Sequence, residues 1–464
     1  MTDASAGSSG QGCAGTLRYC VSVVEAPRVE VAVPLISLSD VLYVPRRKEI
    51  VGTLPGFQRP KIGLAGAPAT AKSLFTFNLP CSPCSAATDQ CKFENVELVG
   101  TSNLRAIFSD APVRVASSKI EGFSTPEDGA AIYMRFSDSA LELEDVVIQQ
   151  NSAGAGGTSG RGGAVYLAAG ASLAMQAEVL FSGNTASEHG GAIYVEGGSG
   201  ELSAAAADSE YPPLEHFRRE DLVVLEGNAA YAHGGAIYFG GGTLDLSRVT
   251  FESNHADARG GALYVADADP GSRIERSWFQ DNGVVEVSGP TSSPGEGGAV
   301  FVHDGSLRFE NDFFLGNGDW MQQAALARGG ALYIDTGAAV ELAFSAATFS
   351  PAATTLHQAP NSTLNVHASL LGIDYGPAFG SVCFRDIPSV LTDDFSVAAD
   401  ASCGFTGSSS INSGITGLDS SENLNPEQGA DLVPFSQCVA ADFMDQSRND
   451  LQGGPCDAGP VEHP

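Results

Sequence analysis

Six Gly-Gly pairs in this chain are each preceded by a residue able to bind or donate a charge: Arg161, His189, His233, Arg259, Glu296 and Arg328. Five of the six can be cationic in a chain otherwise short of cations. Aligned in a column, they would hold the carboxylates or sulfates of an acidic polymer, more firmly at acid pH where both histidines protonate. The plain alternative is a solvated corner that balances nearby carboxylates. Three residues beyond each pair comes a ring: Tyr166, Tyr194, Tyr238, Tyr264, Phe301 and Tyr333, with Tyr133 in the same place after Gly129. Facing outward, such rings could stack on sugars. If they only cover a sheet, or if the register is reversed and they fill the core, they have no ligand role.

The elements that must position these columns follow from the repeat. Aligning the glycine pairs gives FSGN…HGGAIYV, LEGN…HGGAIYF, FESN…RGGALYV and three similar copies, with intervals of 28, 44, 26, 37 and 32 residues. Segments such as GGALYV and TLDLSRVTF alternate in apolar character with period two and are too short for helices. Each unit is therefore two or three short strands separated by corners. A single unit cannot bury its apolar face, so units must stack, each strand pairing in parallel with its counterpart ~4.8 Å away. This predicts an all-β, right-handed parallel β-helix.

In that fold the apolar residue of FxxN points inward. The asparagines Asn151, Asn184, Asn228, Asn254, Asn282 and Asn317 form a corner column, bonding backbone and stacking on one another. The glycine pair supplies positive φ and leaves room for the next coil. Both features build the fold and neither signals catalysis. Insertions fall between asparagine and glycine pair (SAGAGGTSGR, GVVEVSGPTSSPGE and GDWMQQAALAR, the last with Trp320) and at 198–222, where Tyr211, Glu215, His216, Phe217, Arg218, Arg219 and Glu220 concentrate. Loops on neighbouring coils could wall a groove.

Composition limits the function. The 55 acidic and 24 basic residues leave a net charge of −31, which disfavours nucleic acid and anionic lipid. No apolar run is long enough to span a membrane, and the first residues lack a signal-peptide pattern. The nine cysteines are Cys13, Cys20, Cys81, Cys84, Cys91, Cys383, Cys403, Cys438 and Cys456. They lie outside the central repeats and are disulfide candidates that would staple the ends, with one left over. A zinc site at CSPCSAATDQC lacks a second ligand pair. Among acidic residues, Asp245, Asp267 and Asp269 are the best candidates for catalysis or calcium, near Arg259 and Arg273, although solvated corners explain them better. GGGTLDL echoes a calcium-binding nonapeptide once and never repeats, and NST at 361 reads as corner chemistry. Nucleophile-triad, phosphate-loop and dinucleotide patterns are absent.

The pairing of FxxN with GGA[ILV] resembles the repeats of chlamydial polymorphic outer-membrane proteins, which are surface adhesins. GTLRYCVSVVEAPRVEV is similar to the amino-terminal cap of bacterial β-helix surface proteins, and DQSRNDLQGGPCDAGPVE to the ending of the choice-of-anchor Q proteins. These resemblances imply a secreted or cell-surface β-helix that binds polysaccharide or another surface and needs no cofactor. It would be monomeric, without a transmembrane segment. The alternative is a lyase or hydrolase acting on acidic polysaccharide, with calcium expected only in that case. The expected organisation is a disordered 1–12, a capping helix and irregular first coils over 13–125, regular coils over 126–382, and a looped, disulfide-containing cap over 383–464.

Overall fold

The computed structural model describes residues 5–6, 15–22, 27–45, 47–56, 58–77, 90–137, 139–205, 223–284, 295–319, 328–348, 354–373, 381–398, 401–407 and 410. Within them the chain is a parallel β-helix. One sheet has 23 strands and a second has 19, and each strand pairs with its equivalent one coil away. A single column shows the register: Val165 pairs with Ile193, Ile193 with Ile237, Ile237 with Leu263, Leu263 with Val300, and Val300 with Leu332.

The interior is one continuous apolar column. Ile193, Val195, Ile237, Phe239, Leu263 and Val265 point into it and are buried. So do the residues that open each FxxN, namely Ile148, Phe181, Leu225, Phe251, Phe279 and Phe314. Phe251, Phe279 and Phe314 stack at 4.6 and 4.8 Å. That spacing is the parallel-strand repeat carried into the side chains.

Gly260 and Gly261 show why the glycine pair recurs. Gly260 has φ +62°, and a Cβ on Gly261 would come within 2.0 Å of the Gly298 carbonyl oxygen on the next coil. The first position needs left-handed backbone and the second has no space for a side chain.

Three boundaries differ from the sequence reading. Ser5–Ala6, within the stretch expected to be disordered, pair antiparallel with Gly15–Thr16. The first coils are already in parallel register, with Arg28 pairing Glu49 and Glu49 pairing Lys92. At the other end, Ser381–Arg385, Val390–Asp394 and Val397–Ala398 add a further coil to the two sheets, so the solenoid extends through the start of the expected looped cap. The strand SVCFR forms without the glycine pair that marks the other coils.

The capping helix is Leu17–Ser22, with Leu17, Cys20 and Val21 buried against the first coils. Arg18 donates to the Val41 carbonyl at 2.7 Å. Cys20 is disulfide-bonded, and Cys383 is bonded to Cys403. Cys91 corrects the disulfide reading: it is a free, buried thiol that pairs with Val113 in a sheet. Cys13, Cys81, Cys84, Cys438 and Cys456 lie outside the described residues, as do Trp320, the insertions at 206–222, 285–294 and 320–327, and the choice-of-anchor motif at 445–462.

Candidate functional site

The asparagine corner is a closed hydrogen-bond ladder. Asn254 Nδ2 donates to Asn282 Oδ1 at 3.0 Å and to the Leu225 carbonyl at 2.8 Å, and its backbone N–H donates to the same Asn282 oxygen. Asn151, Asn184, Asn228 and Asn282 repeat the pattern, each giving both donors to the next asparagine. All six asparagines are buried. Every donor and acceptor is used, so the column has nothing left for a ligand.

The ring column is longer than the repeats suggest. Phe108, Tyr133, Tyr166, Tyr194, Tyr238, Tyr264, Phe301, Tyr333, His357 and Phe384 stack consecutively, with centroids 4.6 to 5.4 Å apart. They lie on the opposite strand face from Ile193 and Val195, which is the outward face. Even so, Tyr166, Tyr194, Tyr264 and Tyr333 are only 2 to 7% exposed. Both faces of each inner ring meet another ring, so these tyrosines cannot offer a face to a sugar. Burial raises the phenol of Tyr238 to about 12 and that of Tyr333 to about 12, which keeps both neutral. Phe108, His357 and Phe384 escaped the sequence reading because no glycine pair precedes them.

What covers the rings is the column ahead of the glycine pairs. His189, His233, Arg259, Glu296 and Arg328 bridge in parallel from coil to coil. The Arg161 guanidinium lies 4.9 Å from the Tyr194 ring and donates to its hydroxyl at 3.3 Å, and Arg259 lies 4.9 Å from the Phe301 ring. His233 stacks on Tyr264 at 4.9 Å. These contacts are cation-π and ring-stacking interactions that tie the column to the stack.

The charge of this column differs from the sequence reading. Arg161 is paired with Asp128 at 2.9 Å and Arg259 with Glu296 at 2.9 Å. Burial holds His189 below the usual imidazole range and pushes His233 down to about 4, so His233 is neutral in mildly acid and neutral solution. The column carries little net positive charge, and His233 does not charge on mild acidification.

Another corner holds open space. The insertion after Asn151 curls over the next coils and leaves a cavity of about 530 Å³ lined by residues 152–159, 185–188 and Tyr231. This corner runs directly into the column, since Ser187 and Glu188 precede His189.

A second ladder was also missed. Where the long sheet bends, one residue per coil takes positive φ, among them Arg248, Arg276, Asn311, Phe344 and Ala368. After the last four of these bends a small polar side chain accepts the backbone N–H of the coil before: Ser277 from Val249, Asp312 from Ser277, Ser345 from Asp312, and Ser369 from Ser345. Asp312 stands where other coils have serine. It is fully buried, and burial pushes its carboxyl well above the usual range.

The acidic candidates are not gathered as the sequence suggested. Asp245 pairs with Arg273 at 2.9 Å on the outer face of the long sheet, whereas Arg259 belongs to the column that covers the rings and Asp267 and Asp269 lie in the connection after the strand that ends at Val265. Beside Asp245, Arg273 also approaches Glu275 at 3.9 Å, and Arg308 contacts Glu310 at 2.8 Å and Glu341 at 2.6 Å. Among the described residues, no group of three or more His, Cys, Asp or Glu is placed to hold a metal ion. Among them, too, no helix is long and apolar enough to cross a membrane.

Fold and ladders together define the class: an all-β parallel β-helix solenoid with stacked asparagine and aromatic columns. Within it, residues 178–196 and 248–266 match the Chlamydia polymorphic membrane protein repeat. Each match spans an FxxN…GGAxY unit. Among solved structures, the chain is similar to tailspike protein 3 of bacteriophage CBA120, with 10% identity and a TM-score of 0.39. The similarity covers 78% of this chain and 55% of that one, so this chain spans about half the length of the tailspike. Comparison with curated proteins returns no match.

Proposed function

We propose that this chain is a non-catalytic β-helix protein displayed at, or released from, a bacterial cell surface, where it binds polysaccharide or another surface in the manner of an adhesin. One observation carries this reading: the buried asparagines of the repeated coils form a ladder whose side-chain amides satisfy one another, which suits a rigid display scaffold better than a reaction centre. The Chlamydia polymorphic membrane protein repeat supports the surface location. Arg161, His189, His233, Arg259 and Arg328 are the outer layer that meets the ligand. Tyr166, Tyr194, Tyr238, Tyr264 and Tyr333 brace that layer from beneath. Because the arginines at 161 and 259 are already paired and His233 is neutral, an uncharged polymer suits this face better than an anionic one.

A specific observation favours a second reading, a hydrolase or lyase acting on acidic polysaccharide. Asp245, Arg273, Glu275, Arg308, Glu310 and Glu341 place carboxylates and guanidinium groups together on one outer face. Against it, each arginine is held by carboxylates, and the group lies on open sheet with no cleft to exclude water. Incubating the protein with neutral and acidic polysaccharides, with and without calcium, separates the two readings. Retention with intact polymers is expected, whereas shortened or unsaturated oligosaccharides detected by mass spectrometry would make it an enzyme.

A further inference from the structure

We propose that the corner formed by residues 154–159, Ser187, Glu188 and Tyr231 binds one uncharged pyranose unit of a polysaccharide. The proposal rests on the binding function above and gives it a site and a sugar class.

The corner is preformed. Gly154, Gly156 and Gly157 turn the loop through φ values of 78°, 85° and 83°. Thr158 Oγ1 then donates to the Pro126 carbonyl at 2.6 Å, which ties the loop to the coil before. Ser187 Oγ donates to the Thr158 carbonyl at 2.6 Å, and the Glu188 N–H to the Gly160 carbonyl at 3.0 Å, which ties it to the coil after. The cavity so held, about 530 Å³, falls within the ~300–1,000 Å³ usual for small-ligand sites.

Its chemistry is that of a sugar site. Tyr231 is 65% exposed and, unlike the ten rings of the ladder, stacks on no neighbouring ring among the described residues. It therefore offers the aromatic face that the ladder cannot, and the C–H face of a pyranose fits such a surface. The Glu188 carboxylate makes no hydrogen bond or ion pair among the described residues and can accept from two adjacent sugar hydroxyls. Thr158, Ser159 and Ser187 add hydroxyls, and the glycines let backbone approach the ligand closely. The remaining lining is made of small residues, Ser152, Thr185, alanines and glycines, which leaves room for a sugar ring and no large apolar side chain for an apolar ligand to pack against. Glu188, in a chain of net charge −31, disfavours uronate or sulfate and so selects an uncharged sugar.

The test is calorimetry on the full chain with linear hexasaccharides of glucose, mannose, galactose and N-acetylglucosamine, and with oligogalacturonate as the acidic probe. At least one neutral probe is expected to bind. Tyr231→Ala should then weaken binding about tenfold or more and Glu188→Gln about threefold, with the thermal midpoint unchanged. Tyr231→Trp should keep affinity and report binding through its fluorescence. Neutral binding that survives both Tyr231→Ala and Glu188→Gln would overturn this site and leave the binding function standing. Binding of oligogalacturonate alone would overturn the sugar class. If the wild-type chain retains no probe and no polymer, the site and the binding function fall together.

Discussion

Two turns of the same coil, only three residues apart, are built on opposite terms. At Asn184 every polar atom is buried and bonded to the coil on either side, and the arrangement is copied through six coils. At Ser187 and Glu188 the chain opens onto a cavity, and no other coil repeats the sequence. The first turn fixes the distance between coils, and the second is free to vary because the first does not. Scaffold and ligand site are thus separable within one repeat, which is how a solenoid gains binding loops without losing its core.

The sharpest way to break this contrast is to cut the ladder. Asn254→Ala removes the acceptor for both Asn228 donors and takes away Asn254's own two side-chain bonds. Stranding buried donors on the neighbouring coil should cost about 3 kcal/mol or more in urea unfolding. Ser187→Ala, in the open corner, should cost under about 1 kcal/mol. Equal losses would mean that the corner loop is as structural as the ladder.

The rings provide the next test. Tyr238→Ala leaves a gap in a stack sealed on both sides and should cost about 3 kcal/mol, whereas Tyr238→Phe should stay within about 1 kcal/mol. Tyr231→Ala should leave thermal unfolding unchanged.

A stabilising change is expected at Asp312. With its folded-state value raised by burial, the unfolded chain ionises first as pH rises past the ordinary ~3.9, and stability is lost from there upward. Asp312→Ser restores the side chain found at this place in Ser277 and Ser345. It should gain about 1–2 kcal/mol at pH 7 and flatten the pH dependence in that range.

A smaller effect of opposite slope belongs to His233. Its folded-state value of about 4 lies below the ordinary ~6.5, so the unfolded chain takes the proton first as pH falls. Its contribution is complete above about pH 6.5, declines between there and about 4, and then levels off. Allowing for partial exposure to solvent, the decline should be about 1 kcal/mol, and urea titrations of His233→Phe should lack it. Least visible of all is Cys91, whose thiol burial pushes up to about 11: iodoacetamide should label it only when the chain unfolds.

Much of this architecture was legible because the solenoid copies one unit. Six asparagines and six glycine pairs in phase reveal a corner and a close approach, and period-two alternation reveals the strands. What a ladder does to exposure is not written in alternation. Tyr194 alternates with Ile193 and Val195 and faces outward, yet it is buried, because the rings above and below and the His189 column close over it. The same closure neutralises His233, which the sequence offers as a cation. The Ser277, Asp312, Ser345 and Ser369 ladder was hidden because its anchor is a backbone conformation held by residues as different as Arg276, Asn311 and Phe344. The open corner was legible only as an insertion, since Tyr231 and the Gly154 loop lie more than seventy residues apart in the chain and meet through coil stacking.

The most direct test of the account is hydrogen–deuterium exchange on the full chain, with and without the polysaccharide it retains most strongly. The account predicts slowed exchange at residues 154–161, 187–190 and 231–234, where the corner runs into the Arg and His column, and no change along the outer strands at 245, 273 and 308. Slowing centred on Asp245, Arg273 and Arg308, with the corner unaffected, would contradict it and move the functional face to the opposite sheet.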